Sequence, residues 1–182
     1  MPHTHNHDED QAEGETTPAQ SVESVTLGYL SCPQTADKGF AGALLVTDYG
    51  TRPLHFAYVA PIRPTAMQRI LYGRTLSEHT KVLVIARKLL TDGLSVIPSV
   101  LFVDAADLIV ARRFTKWPVA RLSKGTQDAS SLSTLQYDTG GNSQDASAVG
   151  RIVASLEASV DLLDPFARLR EALKEALKGE EF

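Results

Sequence analysis

The stretch from Phe40 to Tyr58 constrains this chain most. An apolar run with an internal glycine, Phe40-Ala41-Gly42-Ala43-Leu44-Leu45-Val46, ends at the turn signal Asp48-Tyr49-Gly50. Leu54, Phe56 and Tyr58 then alternate with His55 and Ala57. A short apolar run closed by turn residues and followed by a period-two pattern reads as two strands of an antiparallel hairpin. Val25-Thr26-Leu27-Gly28-Tyr29-Leu30 is apolar-rich and partly alternating, and reads as a strand before them.

After Pro61 and Pro64 the period changes. Pro64 suits the first position of a helix, and Met67, Ile70 and Leu71 follow at helical spacing until Gly73. Ser77 is the expected N-cap of a longer helix with Val82, Ile85, Ala86 and Leu89 on one face, and Gly93 stands where its C-terminal cap belongs. Val100-Leu101-Phe102-Val103 has the continuous apolar character of a central strand, and Leu108-Ile109-Val110 fits either a strand or a short helix. The expected fold is therefore α+β, a mixed or antiparallel sheet packed by one or two helices.

The order strand, strand, strand, helix, strand over residues 25–110 is similar in topology to the opening of ribonuclease H-like folds. That resemblance implies an acidic residue at the end of the fourth strand, which here is Asp104. No acid lies in Val25–Leu30 or between Pro64 and Leu76. The resemblance therefore implies a catalytically inactive copy, with Asp48 and Asp104 as turn and cap residues.

Four segments are expected. Residues 1–21 form an acidic tail too poor in large apolar groups to fold. Residues 22–124 form the α+β core. Residues 125–147, rich in Ser, Gly, Thr, Asn and Asp, read as a linker or long loop. Residues 148–178 read as an amphipathic helical hairpin. In it, Val149, Val153, Leu156, Val160 and Leu163 follow heptad spacing, and Asp164-Pro165 starts a second helix with Phe166, Leu169, Leu173 and Leu177 on one face. Seven of these residues, Val153, Leu156, Val160, Leu163, Phe166, Leu169 and Leu173, are candidates for docking a partner chain or a second copy.

Charge decides the functional reading. The formal net charge of −4 conceals a segregation: residues 1–24 hold six acids and no Lys or Arg, residues 25–124 hold thirteen Lys/Arg against six Asp/Glu, and residues 125–182 hold five basic against ten acidic residues. A basic core between acidic flanks suits an anionic partner. The densest cluster is Arg112, Arg113, Lys116, Arg121 and Lys124, interleaved with Phe114 and Trp117. Arg and Lys pair with phosphates and an aromatic face stacks on a base, so nucleic acid is the leading partner class. A solvated edge strand with Trp117 packed in the core is the competing reading of the same residues. Arg63 and Arg69, near the start of the helix after Pro64, form a second candidate anion site.

No phosphate-binding glycine loop, G-x-S-x-G elbow or zinc-protease helix is present. Cys32 is the single cysteine, so neither a disulfide framework nor a multi-cysteine metal site is expected. His3, His5 and His7 could chelate a transition metal weakly, or simply be solvated. No cofactor, resident metal or catalytic residue is expected. With no membrane-length apolar stretch and no signal-peptide core, the expected location is cytoplasmic. The resulting expectation is a non-catalytic binding or assembly subunit for an anionic partner. Two alternatives stand beside it: a metal-dependent hydrolase or nuclease of ribonuclease H-like topology using Asp48, Asp104 and Asp107, and a pure protein-interaction subunit acting through its C-terminal helices.

Overall fold

The computed structural model describes residues 24–92, 94–125 and 135–178. It is an α+β fold built on a six-stranded mixed sheet in the order β3-β2-β1-β4-β5-β6. The strands are β1 (Leu27–Ser31), β2 (Phe40–Thr47), β3 (Pro53–Ile62), β4 (Val100–Val103), β5 (Val119–Lys124) and β6 (Leu135–Asp138). The expected hairpin is β2–β3, antiparallel, with Leu45 opposite Phe56. β1 pairs antiparallel with β2 and parallel with β4, which in turn pairs parallel with β5. From β1 to β4 the element order is strand, strand, strand, helix, strand, and Asp104 directly follows β4.

Two kinds of helix cover the two faces. On one face lie α4 (Ser143–Leu156) and α5 (Asp164–Ala176), whose Val149, Val153, Leu156, Phe166, Leu169 and Leu173 pack on Leu27, Tyr29, Phe102 and Leu122. The Tyr29 ring stands edge-on to Phe166, with centroids 5.2 Å apart. On the other face the chain runs as α1 (Ala66–Tyr72), a 3₁₀ turn (Gly73–Thr75), α2 (Leu76–Glu78), a π-helical segment (His79–Ala86) and α3 (Arg87–Thr91). A 3₁₀ helix (Ala106–Phe114) completes that face. Val82, Ile85, Ala86 and Leu89 are buried there against Leu30, Leu44 and Leu101, so the expected apolar face exists. Gly42 permits the approach: a Cβ on it would lie 2.2 Å from Ile85 Cγ2.

Local details differ from expectation for identifiable reasons. The helix begins earlier, at Thr65, whose hydroxyl accepts from the Gln68 N–H while Gln68 accepts from the Thr65 N–H. This capping box outcompetes a start at Ser77, which sits inside the continuing helical run, and Pro64 precedes the cap. Leu108–Val110 belong to the 3₁₀ helix. Gly93 lies outside the described residues. The stretch 125–147 is more than a linker: it supplies β6, which pairs with β5, and the first turn of α4. Gly140 and Gly141 take positive φ (63° and 84°) in the turn between them, and Asn142 caps α4 by accepting from the Asp145 N–H. That turn chemistry accounts for Gly140, Gly141 and Asn142; residues 126–134 lie outside the described residues.

The C-terminal helices do not form a free-standing hairpin surface. Leu156, Phe166, Leu169 and Leu173 are buried on the chain's own sheet, with Val153, and Val160 and Leu163 are half-buried beside them. The heptad spacing is satisfied intramolecularly because the sheet presents a matching apolar face. Among the described residues, no helix is long and apolar enough to cross a membrane.

Candidate functional site

The parallel strands β1, β4 and β5 all point their carboxyl ends to one edge of the sheet, where Ser31, Asp104 and Lys124 stand. Ligand sites in such sheets form outside the carboxyl ends of the strands. Asp104 Oδ2 accepts from Ser31 Oγ at 2.6 Å and from Arg170 Nη1 at 3.4 Å. Its side chain is 23% exposed, and burial raises its pKa above the ordinary carboxylate value against the lowering effect of the Ser31 hydrogen bond and the Arg170 charge. A cleft of about 410 Å³ opens beside it, lined by Lys124, Asp161, Asp164 and Arg170 among others. A carboxyl group with a raised pKa in a cleft marks a functional-site candidate.

The neighbouring polar groups are already committed. Lys81, from the π-helical segment, donates to Asp107 Oδ2 at 3.0 Å. Cys32 is buried, and desolvation drives its thiol pKa far above the ordinary value, so it is no thiolate nucleophile. Asp48 follows Thr47, which pairs with Leu27 at the opposite end of β1, so roughly 15 Å of strand separates it from Asp104. Asp48, Asp104 and Asp107 therefore do not share a site. Among the described residues, no group of three His, Cys, Asp or Glu side chains could hold a metal ion.

The basic cluster is divided by the fold. Arg112 donates to Asp145 Oδ2 at 2.7 Å and to the Thr115 carbonyl at 2.7 Å. Asp145 is almost fully buried and also accepts from the Val119 N–H, so Arg112 ties the 3₁₀ helix to α4 and β5. Trp117 is half-buried against the π-helical face. Alternation along β5 sends Lys124 to the α4/α5 face with Leu122, and Arg121 to the other face with Val119. Arg113 and Lys116 are exposed on the 3₁₀ helix and the turn after it.

Packing adds a cation that no local pattern announces. Arg87 of α3 lies over the Phe114 ring, 6.0 Å from its centroid. Arg87, Arg113, Lys116 and Arg121 thus belong to one face of the sheet, and none has a carboxylate partner within ion-pair distance among the described residues. The Arg121 Nε is buried without a hydrogen-bond acceptor.

The second candidate anion site is occupied from within. Arg63 pairs with Asp37, and Arg69 Nη2 donates to the Pro64 carbonyl at 2.9 Å. Asp37 is held down to about 2 by the Thr35 hydroxyl first and Arg63 second. Ser31, Lys81, Arg87 and Arg170 escaped the sequence reading. Each meets its partner across a separation in sequence of 26 residues or more. No protein-family model matches the chain, and no match among curated proteins is found.

Proposed function

We propose that the protein is a non-catalytic binding or assembly subunit that receives an anionic partner, nucleic acid by class, on the face covered by α3 and the 3₁₀ helix. The observation that carries this reading is that Arg87, Arg113, Lys116 and Arg121 on that face have no ion-paired carboxylate among the described residues, with Asp138 the cross-strand neighbour of Arg121. Unneutralised cations raise the local potential and pair with phosphates by releasing counterions. Arg113 and Lys116 supply the phosphate contacts. Arg112 is left out, because its guanidinium holds Asp145.

Fluorescence anisotropy of labelled single- and double-stranded oligonucleotides at two salt concentrations tests this. The expected result is salt-sensitive binding that falls on the order of tenfold in Arg113→Ala/Lys116→Ala, two phosphate contacts fewer. Absence of binding at low salt would sink the reading.

A metal-dependent hydrolase is the second reading, favoured by one observation: Asp104 closes β4 where the resemblance to ribonuclease H-like folds implies an acid. It requires further carboxylates converging on Asp104; Asp161 and Asp164 line the same cleft, but among the described residues no group of three His, Cys, Asp or Glu could hold a metal ion. Asp48 stands at the other end of β1, and Asp107 is held by Lys81.

A further inference from the structure

Three features of the β3 edge face outward from the fold. First, β3 is a terminal strand of ten residues, Pro53–Ile62, with no Asp, Glu, Lys or Arg in it. Edge strands of monomeric proteins are usually short or guarded by charge or proline, because a bare edge templates further pairing; in β3 the prolines, Pro53 and Pro61, stand only near the two ends. Second, Leu54, Phe56 and Tyr58 form a stripe on the α4/α5 side, 47%, 38% and 47% exposed. The odd-numbered Ala57 and Val59 pack instead on the π-helical side. Third, α1 buries nothing: Met67, Ile70 and Leu71 lie on it at 62%, 77% and 73% exposure.

We propose that two copies of this chain pair antiparallel through β3 about a two-fold axis perpendicular to the sheet. That single operation continues the sheet across the bare edge and sets the two stripes side by side. A two-fold axis makes the edge self-complementary, and no charged residue within Pro53–Ile62 repels its own copy, Arg52 and Arg63 lying just outside the two ends. Because the axis is perpendicular to the sheet, each Leu54-Phe56-Tyr58 stripe emerges on the same side as its mate, where aromatic cross-strand pairs form. Antiparallel pairing also sets the end of one β3 beside the start of the other. Each α1, three residues beyond Ile62, is carried toward the partner copy's Leu54 end. The six side chains offer on the order of 500 Å² of apolar surface per copy. With the paired backbone, that approaches the ~800 Å² per partner of a standard interface. Residues 1–21 are not the occupant, since they contain no Leu, Ile, Val, Phe, Tyr or Trp to fill the stripe.

Sedimentation equilibrium of the full chain across a concentration series, with Phe56→Lys and Leu71→Asp, tests the pairing. The wild type is expected to dimerise, and Phe56→Lys to weaken the dimer on the order of 30-fold or more, as for loss of a hot-spot aromatic. Leu71→Asp is expected to weaken it less. Both positions are exposed in one copy, so circular dichroism should show each variant folded. Hydrogen exchange of the β3 amides should slow as wild-type concentration rises. A monomeric wild type, with or without another protein on this edge, would overturn self-pairing, as would a dimer indifferent to both substitutions. Oligonucleotide binding by the opposite part of the sheet is read separately, so either conclusion can fail without the other.

Discussion

The two faces of the sheet are built differently. On one, α4 and α5 are regular helices of fourteen and thirteen residues, and α4 has a side-chain cap. On the other, a π-helical segment and a nine-residue 3₁₀ helix do the covering. Regular helices bring a periodic stripe to a flat apolar surface. Irregular ones re-aim side chains residue by residue, and tend to occur where something other than packing is being placed. The cations without an ion-paired carboxylate lie with the irregular cover, as do the Lys81–Asp107 pair and the close seat of Ile85 over Gly42. The regular face buries its own apolar cluster, with Tyr29, Phe102 and Phe166 in it.

The largest expected effect belongs to the regular face. Phe166→Ala removes the ring that stands against Tyr29 and leaves a cavity beneath α5, for a loss of about 3–5 kcal/mol in urea unfolding. A loss under about 1 kcal/mol would mean that α5 is loosely held and that the contrast between the faces is overdrawn.

Next comes Gly42→Ala. Its new methyl would sit 2.2 Å from Ile85 Cγ2, a branched carbon with no flexible end to swing away. Overpacking of this kind costs about 1–3 kcal/mol. The double variant Gly42→Ala/Ile85→Ala sharpens the point: it should be more stable than the sum of the two single losses implies, because the second change clears the space the first needs. Strict additivity would break the idea that the irregular cover exists to come this close.

The seam between the faces gives a smaller number. Arg112→Ala strands the Asp145 carboxylate, 4% exposed, with the Val119 N–H as its remaining donor. A loss of about 2 kcal/mol is expected, with oligonucleotide affinity of the folded protein unchanged. If affinity falls as far as in Arg113→Ala/Lys116→Ala, Arg112 contacts the partner after all and the division of the cluster is wrong.

These differences also explain what the sequence discloses. The β2–β3 hairpin, β4 and the apolar stripe of Val82, Ile85, Ala86 and Leu89 follow from local period, because neighbours along the chain are neighbours in the fold. β6 is hidden by its composition: three of its four residues are exposed, so Leu135–Asp138 carries no alternation of burial to detect. The heptad spacing of the C-terminal segment is legible as an apolar face, but the spacing is the same whether that face meets a partner or its own sheet. Site geometry is the least legible part. Ser31 and Asp104 meet because Leu30 and Val103 are in register across a parallel pair, and Arg112 finds Asp145 33 residues away. Nothing in the spacing of charges distinguishes Arg112, which is held, from Arg113, which is exposed.

Asp104 supplies the smallest and most discriminating test, because its burial works against the fold. Its carboxyl pKa is raised in the folded protein, chiefly by desolvation. An acid whose folded pKa exceeds its unfolded value binds more protons in the folded state, so stability declines as pH climbs from the unfolded value, about 4, through the folded one. Above that window the charged form carries a penalty that Asp104→Asn would remove. The amide keeps an acceptor oxygen for the Ser31 hydroxyl and gives up the attraction of Arg170, 48% exposed on the arginine side, and of Lys81. The melting temperature of Asp104→Asn should therefore exceed that of the wild type at neutral pH, and the gain should shrink as pH falls and vanish below about pH 3, where Asp104 is protonated in both states. A gain present at neutral pH would mark Asp104 as a residue kept at the expense of stability, which is the behaviour of a working site and not of a cap. A loss at neutral pH would show that the Ser31 and Arg170 contacts outweigh desolvation. Asp104 would then be a structural clamp joining β1, β4 and α5, and the carboxyl end of the sheet would have no more claim to function than the apolar face beneath α4.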